Sequence, residues 1–250
     1  MKVLLVDIET TPIVADVWAL WDQNVGLNQI HKPTRMLSFV AKWKDTETER
    51  FKPEFWPSKN KSTHKKMIKR LHALLNDADV VVHFYGKKFD IPHANREFVE
   101  LGLTPPSPYH QVDLKQEVSR NFKLPSNKLQ YVATWLGFEG KVQHSGHSLW
   151  TRCIAGDPEA WTTMEEYNIQ DVLLLEDVFN RLAPWIKGIP NAALFVDDDN
   201  TLGVCPSCTA NNLRKEGTTA VGQSTYQRYQ CRDCGKWSRG NRALRRVQLR

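Results

Sequence analysis

The sequence predicts an α/β domain, a mixed β-sheet flanked by helices, followed by a small C-terminal module held by cysteines. Three observations lead there. Short apolar β-forming runs give way to segments with helical spacing, a further strand falls among those helices, and all but one of the 5 cysteines lie beyond Thr201.

The first run, Lys2 to Thr10 (KVLLVDIET), reads as a buried strand that ends in acids. Met36 to Trp43 alternates, with Leu37, Phe39, Ala41 and Trp43 on one side, and the aromatic-rich Glu49 to Trp56 reads as a third strand. Between the first two, Trp18-Ala-Leu-Trp21 is an aromatic loop suited to line a groove. Ser62 to Asn76 is predicted helical because Met67, Ile68, Leu71, Leu74 and Leu75 recur at helical spacing opposite a lysine-rich face. Val80 to His83 is a fourth, buried strand. A helix from Pro92 to Leu101, a Pro-rich loop from Thr104 to Pro108, Val112-Asp113 and two helical stretches through Gly137 follow. Gly140 to Gly156 lacks periodicity and reads as a surface loop containing His144 and His147, whose ordinary role is solvated and whose alternative is a phosphate or metal contact. The last long helix spans Pro158 to Leu182. No internal repeat is visible. A boundary near Asp197-Asp-Asp-Asn200 divides the chain into a domain at 1–195 and a module at 200–250.

At 250 residues there is room for one substantial domain and an appendage. A 41% hydrophobic and 25% charged composition excludes wholesale disorder. The apolar run Val3 to Val6 is too short for a signal sequence or a membrane span, so an intracellular, cytoplasmic protein with no membrane association is expected. The formal charge of +6 is uneven: residues 200–250 carry ten Lys or Arg against two acids. A compact cationic segment beside a near-neutral body is the footprint of a phosphate-backbone binder, although a solvated basic tail has the same composition.

Four acids stand out. Asp7 and Glu9 lie two apart in a strand and project from one face. Adjacent carboxylates repel unless a cation sits between them, and hard Mg²⁺ or Mn²⁺ prefers such oxygen ligands. Asp90 follows the fourth strand, a frequent place for functional groups, but it could equally cap the helix that starts at Ile91-Pro92. Tyr167 and Asp171 are four apart on a helix and share a face. Each has an ordinary structural explanation by itself.

Together, Asp-Ile-Glu-Thr at 7–10, Phe-Asp-Ile-Pro at 89–92 and Tyr-Asn-Ile-Gln-Asp at 167–171 resemble the three exonuclease motifs of the DEDD superfamily, whose fold is RNase H-like. The resemblance covers about residues 1 to 185. A Tyr four residues before the last Asp, with Glu166 where another branch has His, is similar to the tyrosine (DEDDy) branch. Related sequences carry an Asn four residues before the Phe of the second motif. This chain has Tyr85 there, a change that bears on how the substrate strand is positioned near Asp90.

The resemblance implies a two-metal 3'–5' exonuclease using Mg²⁺ or Mn²⁺. Asp7, Glu9 and Asp171 would hold one ion, Asp7 would bridge to the second, Asp90 would act through water ligands, and Tyr167 would orient the attacking water. Its substrate would be nucleic acid, with single-stranded DNA or DNA 3' ends favoured over RNA. With no polymerase domain in these residues, a DNA replication or DNA repair role would be exercised in trans. The alternatives are an RNase H-like, structure-selective endonuclease and a non-catalytic nucleic-acid-binding protein; no protein partner is indicated.

Cys205-Pro-Ser-Cys208 and Cys231-Arg-Asp-Cys234 are two CxxC pairs separated by 22 residues. Four thiolates at that spacing suit one structural, tetrahedral Zn²⁺, with disulfides the alternative. The pattern resembles a zinc ribbon, so little core of its own is expected and metal would hold the fold. Arg228, Tyr229, Arg232, Lys236, Trp237 and Arg239 interleave cations with aromatics, the composition that binds nucleic acid; protein docking is the competing role. Cys153 is left unpaired and is expected to be structural.

Overall fold

A computed structural model describes residues 1–44, 52–138, 146–195 and 203–248. In chain order the elements are β1 (Val3–Thr10), β2 (Val14–Ala15), β3 (Ile30–Lys32), β4 (Met36–Trp43), β5 (Glu54–Pro57), α1 (Lys61–Asn76), β6 (Val80–His83), α2 (Asp90–Glu100), β7 (His110–Asp113), α3 (Leu114–Asn121), α4 (Leu129–Trp135), α5 (His147–Ile154) and α6 (Pro158–Leu182). Three strands follow, β8 (Leu213–Val221), β9 (Ser224–Cys231) and β10 (Trp237–Arg246). The chain forms two compact units, Lys2–Val178 and a second from Phe179 onward. The expected boundary at Asp197–Asn200 lies outside the described residues.

In the first unit five strands form a mixed sheet in the order β5-β4-β1-β6-β7. The β1–β4 and β4–β5 pairs are antiparallel; β1–β6 and β6–β7 are parallel. The central strand β1 is therefore covered on both faces, which is why Val3 to Val6 is a continuous apolar run rather than an alternating one. Leu4, Val6 and Ile8 pack with Met67, Ile68, Leu71 and Leu75 of α1 and Ala94 and Phe98 of α2. Strand alternation then turns Asp7 and Glu9 to the opposite face.

A β-bulge changes the expected alternation of β4. Glu9 pairs with Ser38 but Thr10 pairs with Met36, so one residue of β4 is extra. Met36, Phe39 and Ala41 join the core under α1 and α2, whereas Leu37 packs with Leu149, Cys153, Trp161 and Met164 of α5 and α6. The third strand is shorter than expected, at Glu54–Pro57; residues 49–51 lie outside the described residues. The expected loop at 140–156 is also corrected. His147–Ile154 is helical, anchored by Leu149 and Cys153, and eight residues with two buried side chains are too few to show a period. His144 lies outside the described residues, and His147 is an exposed first residue of α5. Cys153 is buried, its thiol pushed up to about 11 mainly by that burial, as suits a core residue.

A buried ion pair joins the sheet to α6: Lys42 Nζ lies 2.5 Å from Glu176 Oε2. Among the described residues no helix is long and apolar enough to cross a membrane.

Candidate active site and metal centre

The inward stripe of α6 consists of Trp161, Met164, Asn168, Val172 and Leu175, all buried. Asn168 is the polar member. Its amide nitrogen donates to Asp7 Oδ2 at 3.3 Å and its carbonyl oxygen accepts from Ser38 Oγ at 2.6 Å. Ser38 is the cross-strand partner of Glu9, so one asparagine locks α6 onto the acidic face of the sheet. The indole nitrogen of Trp150, on α5, donates to Glu9 Oε2 at 3.1 Å, and the Trp150 ring meets Tyr167 edge-on at 6.1 Å.

Asp90 does not cap its helix. The cap position is Phe89, which makes no side-chain capping bond, and Asp90 opens the first turn of α2. Its Oδ1 instead accepts the backbone N–H of Ile8 at 3.1 Å, between Asp7 and Glu9. Asp90 is 4% exposed.

The electrostatics show these acids crowding one another. Burial, then the charges of Asp90, Glu9 and Asp171, raise Asp7 well above the usual carboxylate range against the opposing Asn168 bond. Burial pushes Glu9 up to about 8, opposed by Trp150 and reinforced by Asp171 and Asp90. Asp90 rises to about 7 through burial, opposed by backbone N–H groups including that of Ile8. Among the described residues no lysine or arginine pairs with Asp7, Glu9 or Asp90. Clustered oxygen donors whose charge the protein leaves unbalanced fit a hard divalent cation. Tyr167 donates to Asp171, and burial together with Asp171, Glu9 and Asp7 raises its phenol far above its usual value, which keeps it protonated.

The turn before α2 is held by Asp113, a buried residue at the end of β7. Its Oδ1 accepts from Tyr85 N–H at 3.1 Å and from Gln116 N–H at 3.2 Å, and its Oδ2 from Lys87 N–H at 3.3 Å. Gly86 is required here: a Cβ would lie 2.4 Å from the His83 ring, whose Nδ1 accepts the Gly86 N–H at 3.1 Å. With that nitrogen accepting, His83 is neutral and carries its proton toward Gln111, in keeping with a pKa lowered by burial.

In the second unit the cysteines of both CxxC pairs converge. Cys205 Sγ lies 3.6 Å from Cys234 Sγ and Cys208 Sγ 3.7 Å from Cys231 Sγ, and all four sulfurs fall within 4.8 Å of one another. A tetrahedron of thiolates about 2.3 Å from Zn²⁺ has edges of roughly 3.8 Å, so the donors fit that ion. No disulfide joins these four cysteines. Among the described residues this is the one group of potential metal ligands so tightly gathered; the carboxylates do not form such a group.

The ribbon sheet runs β10-β9-β8. Arg228 pairs with Arg239, and Trp237 with Gln230, so Arg228, Trp237, Arg239 and Tyr226 share one face. Arg228 lies 5.0 Å over the Trp237 ring and Arg239 4.3 Å over Tyr226. Tyr229, paired with Ser238, points to the other face. Arg232 lies exposed beyond β9, and Lys236 donates its ammonium to the Ile186 carbonyl.

The residues that sequence reasoning passed over are Asn168, Trp150, Ser38 and Asp113. Only Asn168 had a usable signal, a polar residue inside the apolar stripe of α6.

The sequence profile of the RNase_H superfamily matches residues 25–183. No curated protein matches the chain. Among solved structures, the family B DNA polymerase from the hyperthermophilic archaeon Pyrobaculum calidifontis is similar, at 18% identity and a TM-score of 0.53 over 74% of this chain. The match spans 25% of that polymerase, and at this identity it speaks to fold. A mixed sheet with its acids on the central strand, covered by α6, and a profile match across more than half the residues lead to one assignment: the chain belongs to the RNase H superfamily.

Proposed function

We propose that this chain is a metal-dependent 3'–5' exonuclease that hydrolyses nucleic acid, with DNA favoured. The observation that supports it is the convergence of Asp7, Glu9, Asp90 and Asp171, from β1, α2 and α6, into a mutually repelling set bordered by a protonated Tyr167. Asp7, Glu9 and Asp171 would hold one Mg²⁺ or Mn²⁺; Asp7 would also hold the other, with Asp90 acting through water ligands. When bound, such a pair supplies an activated water and offsets charge on the leaving 3'-oxygen. The chain's own side chains do the positioning. Asn168 fixes the Asp7 carboxylate, Trp150 orients Glu9, and the Ile8 amide aims Asp90. Tyr167, held by Asp171, keeps its proton and presents a hydrogen bond to the attacking water.

In this reading the cysteine cluster carries one structural Zn²⁺, and the Arg228, Trp237, Arg239 face of the ribbon assists nucleic-acid binding.

The test is end-labelled single- and double-stranded DNA and RNA, with a circular control, incubated with Mg²⁺ or Mn²⁺. Shortening from the 3' end alone, with circles intact and Asp7→Ala inert, is expected. Cleavage of circles establishes an endonuclease instead.

A further inference from the structure

The aromatic loop that the sequence suited to a groove stands in solvent instead, on an excursion from Ile13 to Ile30 whose polarity is inverted. Trp18, Leu20, Trp21 and Leu27 are 96%, 86%, 82% and 88% exposed, and Ile13 and Val17 are half-exposed. The glutamines serve the backbone. Gln23 Oε1 accepts the Trp18 N–H at 3.1 Å, Gln29 Oε1 accepts the Gly26 N–H at 2.7 Å, and Gln29 Nε2 donates to the Asp16 carbonyl at 2.8 Å. Two ties close the base. Val14 of β2 pairs with Lys32 of β3, and Thr11 N–H donates to the Arg35 carbonyl at 2.8 Å while Arg35 N–H donates to Thr11 Oγ1 at 2.9 Å. The rings are therefore presented by a closed, hydrogen-bonded lobe rather than by an untethered loop.

The size of the apolar surface sets the scale of what covers it. Two nearly bare tryptophans present on the order of 400 Å², and with the four aliphatic side chains the lobe exposes roughly 700 Å². A monomer ordinarily leaves less uncovered, and each partner of a standard interface contributes about 800 Å².

Charge selects the occupant. From Ile13 to Ile30 there is no Lys or Arg, and there are two acids, Asp16 and Asp22. A phosphate backbone or an anionic lipid surface would meet no cation on this segment. Asp16 is engaged by His31 Nε2 at 2.7 Å, so two copies of the lobe bring little like charge together, whereas the chain as a whole, at +6, repels its own kind. A charge-poor apolar face of half-interface size is matched by a second such face, and a two-fold axis covers both at once.

We propose that the Ile13–Ile30 lobe is a self-association face through which two copies of this chain form a two-fold dimer, with Trp18 and Trp21 as its anchors. The dimer is independent of the nuclease reading, since none of the carboxylates contributes to it.

Sedimentation velocity on the full-length chain, loaded with Zn²⁺ and freed of nucleic acid, tests it across micromolar concentrations at low and high salt. The parent should show a species of twice 28.8 kDa that dissociates on dilution and persists in high salt, as apolar contacts do. Trp18→Ser/Trp21→Ser should raise the dissociation constant about a hundredfold, and Leu20→Gln/Leu27→Gln should also raise it, both with the far-ultraviolet circular dichroism of the parent. A parent that stays monomeric overturns the proposal, whether or not the tryptophan variant binds oligothymidylate less well. A folded variant of either kind that dimerises as tightly as the parent places the interface elsewhere and overturns it too. If both variants lose the parent's spectrum, these side chains are structural and the proposal falls. A parent that dimerises through the lobe yet cleaves nothing sinks the nuclease reading alone.

Discussion

Replacing Glu9 by Gln should inactivate the site and yet stabilise the magnesium-free chain at high pH. Burial, opposed by the Trp150 bond and reinforced by Asp171 and Asp90, raises Glu9 from 4.5 to about 8. The folded chain therefore holds this proton more tightly than the unfolded chain. Its contribution to stability is complete below 4.5, falls as pH rises, and is lost on passing through about 8. A shift of that size corresponds to a penalty on the order of 5 kcal/mol once Glu9 is ionised. Gln preserves the shape and the acceptor for Trp150 without the charge. Urea unfolding, followed by tryptophan fluorescence on protein loaded with one equivalent of Zn²⁺, measures the effect. The two chains should unfold alike near pH 5, and at about pH 9 the variant should be more stable by on the order of 3 to 5 kcal/mol. Adding Mg²⁺ should narrow the gap by stabilising the parent alone. Equal stability near pH 9 would refute the claim that burial, reinforced by Asp171 and Asp90, holds the Glu9 proton in the folded chain.

Other substitutions separate the parts of the molecule. On the proposed reading, in which Tyr167 orients the water and takes no proton, Asp7→Ala should abolish cleavage and Tyr167→Phe should leave residual activity; single-turnover rates check both. Glu176→Gln strands the Lys42 ammonium in the interior and should lose roughly 3 to 5 kcal/mol in chemical denaturation, whereas Lys42→Met with Glu176→Leu should recover most of it. Chelation of zinc should expose β8–β10 to limited proteolysis and weaken nucleic-acid affinity while the fluorescence transition of the body persists. Asn168→Leu, which removes the link between Ser38 and Asp7, should reduce kcat and bring earlier unfolding, read by turnover and thermal melting.

The elements that sequence reasoning recovered are those whose signal is local. The Met67–Leu75 stripe, the buried run of β6 and the CxxC spacing each lie within one helix, one strand or one pair of turns, where periodicity and ligand geometry act over a few residues. The short helix α5 had no such signal, because its burial rests on Leu149 and Cys153 and on partners brought from β4 and α6.

The side-chain roles needed the tertiary structure. Local rules favour Asp90 as a helix cap, and a single long-range bond to the Ile8 amide makes it part of the acidic cluster instead. The bulge opposite Glu9 reverses Leu37, which strand alternation alone assigns to the other face. Tyr229 and Trp237 look equivalent in composition, but the register of β9 and β10 separates them onto opposite faces. By itself, then, the sequence determined the fold class and singled out the acids and the paired cysteines, because apolar period and residue chemistry are properties of short segments. Only the tertiary structure decided which acids repel, what holds each in place and which cations and rings share a face, since those depend on distances between residues far apart in the chain.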